Sequence, residues 1–256
     1  RYVSVTGVQT CALPISMIQF GPVLTLILTV LWIAAITNAI NLIDGLDGLV
    51  GGVSIISLMT MGVISYFFLY DTDIFLTMTI FVLVAAIMGF FPYNYHPAII
   101  YLGDTGALFI GFMIGVLSLQ GLKNATAVAI LSPVIILGVP IVDTVVAIVR
   151  RKLSGRSAME ADKMHLHHRL LAMGFTHRGA VLVVYAIAIL FSLIALLLNV
   201  SSRLGGILLL LSLILGMEIL IEGLEIWGVG RTPLFNFLKF IGNSDYRQAI
   251  MLKWKQ

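Results

Sequence analysis

Seven apolar runs, each long enough to cross a membrane, constrain the fold of this 256-residue chain more than any other feature. A transmembrane helix needs about 20 predominantly apolar residues, because its backbone must satisfy its own hydrogen bonds within the lipid. The predicted spans are residues 18–40, 49–70, 74–91, 105–120, 126–149, 180–199 and 205–223. Only 11% of the residues are charged, against roughly 25% in soluble domains. The sequence therefore predicts an all-α fold, a polytopic transmembrane helical bundle.

The lysine and arginine residues predict the orientation, since the cytoplasmic loops of membrane proteins are enriched in both. Twelve of the fifteen lie in the loop 150–179 and in the tail after residue 224. With seven spans, both segments fall on the same side as the segment 92–104 and the polar motif that ends the first span. We therefore expect a multi-pass membrane protein with residue 17 outside and with the polar motif, the segment 92–104, the loop 150–179 and the C-terminus in the cytoplasm. The basic residues form no stripe, so we expect no nucleic-acid partner.

Three segments follow from this pattern. Residues 1–16 lack an initiator methionine, a basic start and a clear apolar stretch, so we expect a non-native leader rather than a signal peptide. Residues 17–223 are the predicted transmembrane domain, and residues 224–256 are the predicted cytoplasmic C-terminal tail. The single cysteine, Cys11, excludes an internal disulfide bond.

A polar motif ends the first span, with an amide or a carboxylate at every third residue. Its members are Asn38, Asn41, Asp44 and Asp47. Burying such groups in a membrane is costly unless they bind something. Mg²⁺ takes oxygen ligands and commonly keeps substrate phosphates in its coordination shell. The motif therefore predicts a site for a hard divalent cation with phosphates attached, and the following pair, Gly51 and Gly52, is expected to allow close helix packing.

A second polar segment precedes the fourth span. Pro92 and Pro97 are expected to prevent a regular helix there. Gly103 and Gly106 are expected to let backbone approach closely. Asp104 falls near the expected start of the next helix, where on its own it is better explained as an N-cap. Because it shares a membrane face with the first motif, a metal-ligand role becomes the favoured interpretation.

Asp143 lies within the fifth predicted span. Pro140, three residues earlier, is expected to free a backbone carbonyl and to kink the helix. An intramembrane aspartate is a functional candidate by default. A structural hydrogen bond across helices, or a salt bridge to Arg150 or Arg151, explains it equally well, so both interpretations stay open.

The loop 150–179 concentrates cationic and imidazole side chains. It holds seven basic residues and four of the five histidines, at positions 165, 167, 168 and 177. Arginine offers a planar fork for phosphate, and histidine exchanges protons near neutral pH. A zinc site is not favoured, because no cysteine or His-Glu pair accompanies the histidines. Basic residues alone would fit any cytoplasmic loop, but that explanation does not account for three histidines in four positions.

Four motifs together resemble those of the polyprenyl-phosphate N-acetylhexosamine-1-phosphate transferases of glycosyltransferase family 4. They are Asn38-x-x-Asn41-x-x-Asp44-Gly-x-Asp47-Gly-Leu49, Tyr101-Leu-Gly-Asp104-Thr-Gly, Pro140-Ile-x-Asp143-Thr, and Arg150-Arg with Gly-Arg156-Ser and Asp162-Lys-x-His165-Leu-His167-His168-Arg-Leu. Their order, spacing and sidedness match, and the resemblance covers residues 18–250. The His-Leu-His-His-Arg form resembles the branch that uses UDP-N-acetylglucosamine.

The resemblance implies transfer of N-acetylglucosamine 1-phosphate from UDP-N-acetylglucosamine to undecaprenyl phosphate, with release of UMP. This reaction would initiate cell-wall or surface polysaccharide synthesis, for example of teichoic acid or lipopolysaccharide. Asn41 and Asp104 would hold Mg²⁺, with Mn²⁺ as an alternative ion. Asp47 and Tyr101 would contact the uracil, the tyrosine by stacking.

The other implied roles concern substrate and catalysis. Asp44 would orient the metal site or the donor, and Asn38 and Arg156 would bind substrate. The implied catalytic residues are Asp44, Asp104, His165, His167 and His168. The histidines would act on the sugar-phosphate, which agrees with phosphoryl transfer by positioning and charge neutralisation. The implied partners are the two substrates and membrane lipids, and a homodimer is left open. The implied location is the bacterial plasma membrane, with the active site facing the cytoplasm.

The chain departs from the family in one motif. The family carries an Asp-Asp pair on an earlier cytoplasmic loop, proposed to engage the lipid phosphate and the metal, and no two adjacent aspartates occur here. Family members also have several more spans. We therefore expect an N-terminally truncated chain that is inactive as given, although the complete protein is an enzyme.

Other interpretations fit less of the pattern. The phospho-N-acetylmuramoyl-pentapeptide transferases of the same family tend to have a different histidine cluster. A secondary transporter would also use intramembrane acids, but it should show internal repeats, and none is found in the sequence. A non-catalytic scaffold would need no metal motif.

Overall fold

The computed structural model describes residues 21–68, 74–120, 127–153, 155 and 165–224. Within these ranges the chain forms nine helices and no strand. They are α1 (Pro22–Leu42), α2 (Leu49–Phe67), α3 (Ile74–Asn94), α4 (Gly103–Gln120), α5 (Ala127–Ile136), α6 (Gly138–Leu153), α7 (Leu166–Ala172), α8 (His177–Val200) and α9 (Arg203–Gly223). The predicted all-α fold class is confirmed.

Six of these helices are long and apolar enough to cross a membrane, namely α1, α2, α3, α4, α8 and α9. The fifth predicted span, 126–149, instead divides into α5 and α6, which meet at Leu137. The division agrees with the predicted effect of Pro140, which has no N–H to donate to the carbonyl of Ile136. The hydroxyl of Ser57 in α2 lies 3.4 Å from that freed oxygen. A neighbouring helix thus satisfies the carbonyl that the proline leaves unpaired.

α1 and α4 pack antiparallel with their backbones in close contact. A Cβ at Gly111 would lie 2.9 Å from Thr37 Cα, and a Cβ at Gly115 would lie 3.3 Å from Ile33 Cα. Small residues spaced four apart let membrane helices approach in this way. The pairing therefore determines how the end of α1 lies against the start of α4.

α2 is the most enclosed of the long helices. Gly51 faces α3, where Phe91 would lie 3.1 Å from an added Cβ. Gly52 faces α8, where an added Cβ would overlap the ring of Tyr185. The predicted role of this glycine pair in close helix packing is therefore confirmed.

α3 runs through Pro92 to Asn94, so the prediction that Pro92 prevents a regular helix there is wrong. Pro92 lies in the last turn, where a lost backbone hydrogen bond costs less than in a helix interior and the preset φ of proline still suits a helix. The N–H of Tyr95 still donates to the carbonyl of Phe91 at 2.9 Å. Pro97 falls in the non-helical segment that leads to α4, as expected.

Polar segments gather at one end of the bundle, here called the site end. It comprises residues 43–48, 94–104 and 165–177, together with the end of α9. α7 belongs to this end, because Nε of Arg169 donates to the carbonyl of Leu224 at 2.8 Å. α9 is otherwise the least enclosed of the long helices.

Candidate active site

The turn that joins α1 to α2 is held by side chains from two other helices. Gly48 has a φ of +79°, a left-handed conformation that suits glycine. Its N–H donates to Oδ1 of Asn94 at 3.2 Å, and its carbonyl accepts from the hydroxyl of Tyr185. The N–H of Asp47 donates to Nε2 of His177 at 3.0 Å. The turn is therefore braced from α3 and α8.

Asp44 and Asp104 face each other across the α1–α4 pair. The antiparallel register set by Gly111 and Gly115, carried to the site end, brings Asp44 opposite Asp104. Burial, together with the nearby carboxylates of Asp104 and Asp47, raises the pKa of Asp44 to about 6. Clustered carboxylates repel one another, and a bound cation would offset that repulsion.

Asn41, one turn before Asp44, adds an amide oxygen. Its Oδ1 is buried and has no hydrogen-bond partner in the part of the chain that the structure describes. A buried oxygen without a partner calls for an explanation, and a hard cation would supply the missing interaction. The donor set of Asn41, Asp44 and Asp104 therefore fits a divalent cation.

Asp104 does not occupy the N-cap position. α4 begins at Gly103, and Asp104 is its second residue. A carboxylate in the first turn is stabilised by the positive end of the helix dipole. Asp104 is also exposed, so a ligand can reach it. The structure therefore does not support the N-cap alternative.

The two glycines of this segment do not act as predicted. A Cβ at Gly103 would meet nothing within 4 Å, so its role is the left-handed φ of +66° and not a close approach of backbone. A Cβ at Gly106 would lie 2.6 Å from the side chain of Leu102, which is a side-chain contact. Both glycines shape the entry to α4 rather than a backbone contact with another helix.

Asp47 makes hydrogen bonds within the protein. Its Oδ2 lies 2.8 Å from Nδ1 of His96 and accepts from the N–H of Ala98 at 3.2 Å. Burial acts to raise the pKa of Asp47, but the hydrogen bonds from His96 and Ala98 outweigh it and hold the pKa below its usual value. The carboxylate therefore anchors the segment before α4 to the turn after α1.

Asp47, His96 and His177 form a cluster that the sequence did not predict. One ligand atom of each lies within 4.8 Å of the others, and the two imidazole rings stack with centroids 4.1 Å apart. Nε2 of His177 already accepts from Asp47, and parallel rings do not direct two lone pairs at one ion, so a hydrogen-bond network explains the cluster better than a metal. No local signal links these residues, because His96 and His177 are 49 and 130 positions from Asp47.

The histidine motif packs onto the Asn/Asp motif through His167. This residue is 3% exposed, and its ring lies so close to Gly45 that an added Cβ would overlap it. Burial, together with the neighbouring His168, lowers the pKa of His167 to about 4. The ring is therefore neutral near pH 7. His168 is half-buried beside it, with the ring centroids 4.1 Å apart.

Asp143 bonds to the start of the histidine motif. Its Oδ2 lies 2.9 Å from Nδ1 of His165, and its Oδ1 accepts from the N–H of Leu166 at 2.9 Å. The structure thus shows hydrogen bonds from Asp143 to these groups and, among the described residues, none to Arg150 or Arg151. The functional interpretation of Asp143 stays a prediction.

The other predicted site residues are less closely tied to this centre. Asn38 is exposed, and its Nδ2 donates to the carbonyl of Ala34 at 2.7 Å. Tyr101 is 74% exposed. Arg156 lies outside the described residues. The functional roles assigned to all of the predicted site residues stay predictions.

Known proteins resemble this chain along much of its length. The family model described as glycosyl transferase family 4 matches residues 2–122. The probable undecaprenyl-phosphate N-acetylglucosaminyl 1-phosphate transferase of Bacillus subtilis (strain 168) is 47% identical over 196 residues, which is 76% of this chain and 54% of that protein. The decaprenyl-phosphate N-acetylglucosaminephosphotransferase of Mycobacterium tuberculosis (strain H37Rv) is 44% identical over 116 residues, 41% of this chain and 29% of that protein.

A third relative is the undecaprenyl-phosphate alpha-N-acetylglucosaminyl 1-phosphate transferase of Salmonella typhimurium. It is 36% identical over 136 residues, 51% of this chain and 36% of that protein. The chain thus spans about half the length of the Bacillus relative and less of the other two. Asn41, Asp44 and Asp104 lie within the segment that the family model matches. This chain is therefore similar to glycosyl transferase family 4 over a segment that includes the end of α1 and the start of α4.

Proposed function

We propose that the whole protein transfers N-acetylglucosamine 1-phosphate from UDP-N-acetylglucosamine to undecaprenyl phosphate and releases UMP. The observation that carries the proposal is Asp44 opposite Asp104, one turn from the buried amide oxygen of Asn41, which has no partner among the residues that the structure describes. Such a donor set suits a divalent cation bound to a diphosphate. The names of the Bacillus and Salmonella relatives support this pair of substrates over the pentapeptide alternative.

The donor would bind at the site end. Asn41 and Asp104 would hold Mg²⁺ or Mn²⁺, which when bound would neutralise charge on the donor's diphosphate. Asp44 would orient these ligands. Asp47, already held by His96, would contact the uracil, and the exposed ring of Tyr101 would stack on it.

The reaction exchanges one phosphorus–oxygen bond for another. An oxygen of the lipid phosphate attacks the phosphorus that bears the sugar, and the bond from that phosphorus to the UMP oxygen breaks. Transfer of this kind depends mainly on positioning and on neutralisation of charge. His168 is the least buried of the three histidines of the motif. We therefore expect His168, with Arg156, to contact the sugar-phosphate directly.

The site end would face the cytoplasm from the plasma membrane. The last turn of α6 carries Arg150, Arg151 and Lys152 at this end, which supports the orientation. Turnover would also need the acidic pair that the family carries on an earlier loop. We therefore expect no UMP release from the 256-residue chain alone, and cell-wall or surface polysaccharide synthesis as the process that the complete protein serves.

A chimaera tests the proposed reaction. The Bacillus subtilis relative would contribute the part of its length that this chain does not match. We expect the chimaera in membrane vesicles to release UMP from UDP-N-acetylglucosamine only with undecaprenyl phosphate and Mg²⁺ present. Asp104→Asn should lower the rate at least about a hundredfold, because a group that stabilises developing charge is lost.

The matched control for this experiment is Gly89→Ala in α3. A Cβ there would meet nothing within 4 Å, so the rate should not change. UMP release by the Asp104→Asn chimaera at the unsubstituted rate would refute the proposed function.

A further inference from the structure

Asp143 is buried in α6, where it faces the start of α7. It is 5% exposed, and each of its carboxylate oxygens has a partner. Oδ2 bonds to Nδ1 of His165, and Oδ1 accepts from the N–H of Leu166. Asp143 therefore holds both the residue that precedes α7 and the first residue of that helix.

The surroundings of this contact are apolar. A small pocket beside Asp143 is lined by side chains of α6, α8 and α9, among them Val142, Val146, Ile187 and Leu220. In such surroundings hydrogen bonds are stronger than in water, and the loss of one partner is costly. The contact is therefore a rigid link between α6 and α7.

The two hydrogen bonds also decide which nitrogen of His165 carries a proton. An ionised carboxylate only accepts, so both Leu166 N–H and His165 Nδ1–H donate to Asp143. A neutral imidazole protonated on Nδ1 has its lone pair on Nε2. Asp143 therefore sets the tautomer of His165 as well as its orientation.

α7 transmits this constraint to the Asn/Asp motif. The rings of His165 and His167 are parallel, with centroids 6.1 Å apart. His167 packs on Gly45 in the turn after α1. A displacement at His165 would therefore shift His167 relative to that turn, and with it the neighbouring His168.

We propose that Asp143 is a positioning residue, which fixes His165 in the Nδ1–H tautomer and anchors α7 so that the histidine motif stays seated on the turn after α1. The consequence for catalysis rests on the proposed function. The tautomer is a property of this chain alone and can be measured without any activity.

Nuclear magnetic resonance of the chain labelled with ¹⁵N-histidine tests the tautomer. The measurement is made in detergent micelles at about pH 8.5, roughly two units above the ordinary histidine pKa. Asp143→Asn keeps an oxygen to accept from Leu166 but places an NH₂ group against His165, so Nδ1 must accept. We expect His165 to be protonated on Nδ1 in the unsubstituted chain. In Asp143→Asn we expect Nδ1 to be unprotonated and Nε2 to carry the proton. His165→Asn assigns the signal by removing it.

Thr144→Val is the matched control, because it is nearly isosteric and lies next to Asp143. It removes a buried hydroxyl that has no hydrogen-bond partner among the described residues, so His165 should keep its tautomer. An unprotonated Nδ1 of His165 in the unsubstituted chain, or a protonated Nδ1 in folded Asp143→Asn, would overturn the proposal. If Asp143→Asn does not fold, the unsubstituted spectrum still gives a deciding result.

The chimaera gives the catalytic readout. Asp143→Asn should lower kcat about ten- to a hundredfold and change KM for UDP-N-acetylglucosamine less than about threefold, as expected when the support of a functional group is lost. If Asp143→Asn changes the tautomer of His165 but leaves kcat unchanged, Asp143 has no positioning role in catalysis. A chimaera without turnover before any substitution would count against the proposed function, whereas the tautomer result would be unaffected.

Discussion

Two aspartates of one motif, three residues apart, have opposite environments. Asp47 is held by hydrogen bonds from His96 and Ala98, which keep its pKa low. Each contribution to the pKa shift of Asp44, from burial, Asp104 and Asp47, raises it. Asp47 is therefore an anchor of the turn, whereas the charge of Asp44 is one that the proposed cation would offset.

Replacement of Asp44 by asparagine tests this difference. The pKa of Asp44 in the folded chain is about 6 against an ordinary value of 3.8, so ionisation destabilises the fold as pH rises from 3.8 through 6. Above that range, and without a divalent cation, Asp44→Asn should raise the free energy of unfolding by about 1–2 kcal/mol, after allowance for solvent screening. Thermal unfolding in detergent measures this gain. The gain should shrink toward about pH 4, and an equal gain at both ends of the range would contradict this explanation.

At the scale of helices, the contact between α1 and α4 sets the geometry of the site. Gly111 and Gly115 let the two backbones touch, and Gly111 lies seven positions after Asp104. Any change in the distance between these helices therefore moves Asp104 relative to Asp44. The site depends on a helix pairing that lies well inside the membrane-spanning part.

Gly111→Ala tests this dependence. Its Cβ would lie 2.9 Å from the backbone of Thr37, which cannot move aside unless the helices separate. We expect a loss of about 1–3 kcal/mol in stability. We also expect Mg²⁺ to stabilise this variant less than the unsubstituted chain, because Asp104 shifts. Thermal unfolding with and without Mg²⁺ measures both effects. Gly216→Ala in α9, where a Cβ meets nothing within 4 Å, should change neither. An unaltered Mg²⁺ response in Gly111→Ala would exclude the helix pairing as the cause.

The elements differ in how far the sequence predicts them. Long helices follow from run length and hydropathy, which are local properties, so α2 begins at Leu49 as predicted. The break at Leu137 was not predicted, because Pro140 indicates that a helix will be interrupted nearby but not at which residue. α7 was also missed, since seven residues carry too little periodicity to distinguish a helix from a loop.

The same limit applies to the site. The meeting of Asp44 and Asp104 was expected, because topology places both motifs on one membrane face. The contacts of Asp47 with His96, and of Asp143 with His165, depend on side-chain packing between distant segments and could not be derived from spacing.

At the scale of the whole molecule, the apolar helices carry a polar centre at one end. The Asn/Asp motif, the start of α4 and the histidine motif come from separate parts of the chain, and each contributes a different group: amide and carboxylate oxygens, an exposed carboxylate, and imidazoles. The membrane-spanning helices bring them together through close glycine contacts at α1–α4, α2–α3 and α2–α8. The helices therefore place at one end of the molecule the oxygen and imidazole groups that the proposed cation and donor site requires.

The central claim is that Asn41 and Asp104, oriented by Asp44, hold a divalent cation together with the diphosphate of the donor. Isothermal titration calorimetry of the purified 256-residue chain with UDP-N-acetylglucosamine tests it most directly. We predict binding in the presence of Mg²⁺ that weakens at least about tenfold, or ~1.4 kcal/mol, when Mg²⁺ is omitted or when Asp104 is replaced by asparagine. Equal affinity with and without Mg²⁺, or wild-type affinity in Asp104→Asn, would contradict the claim.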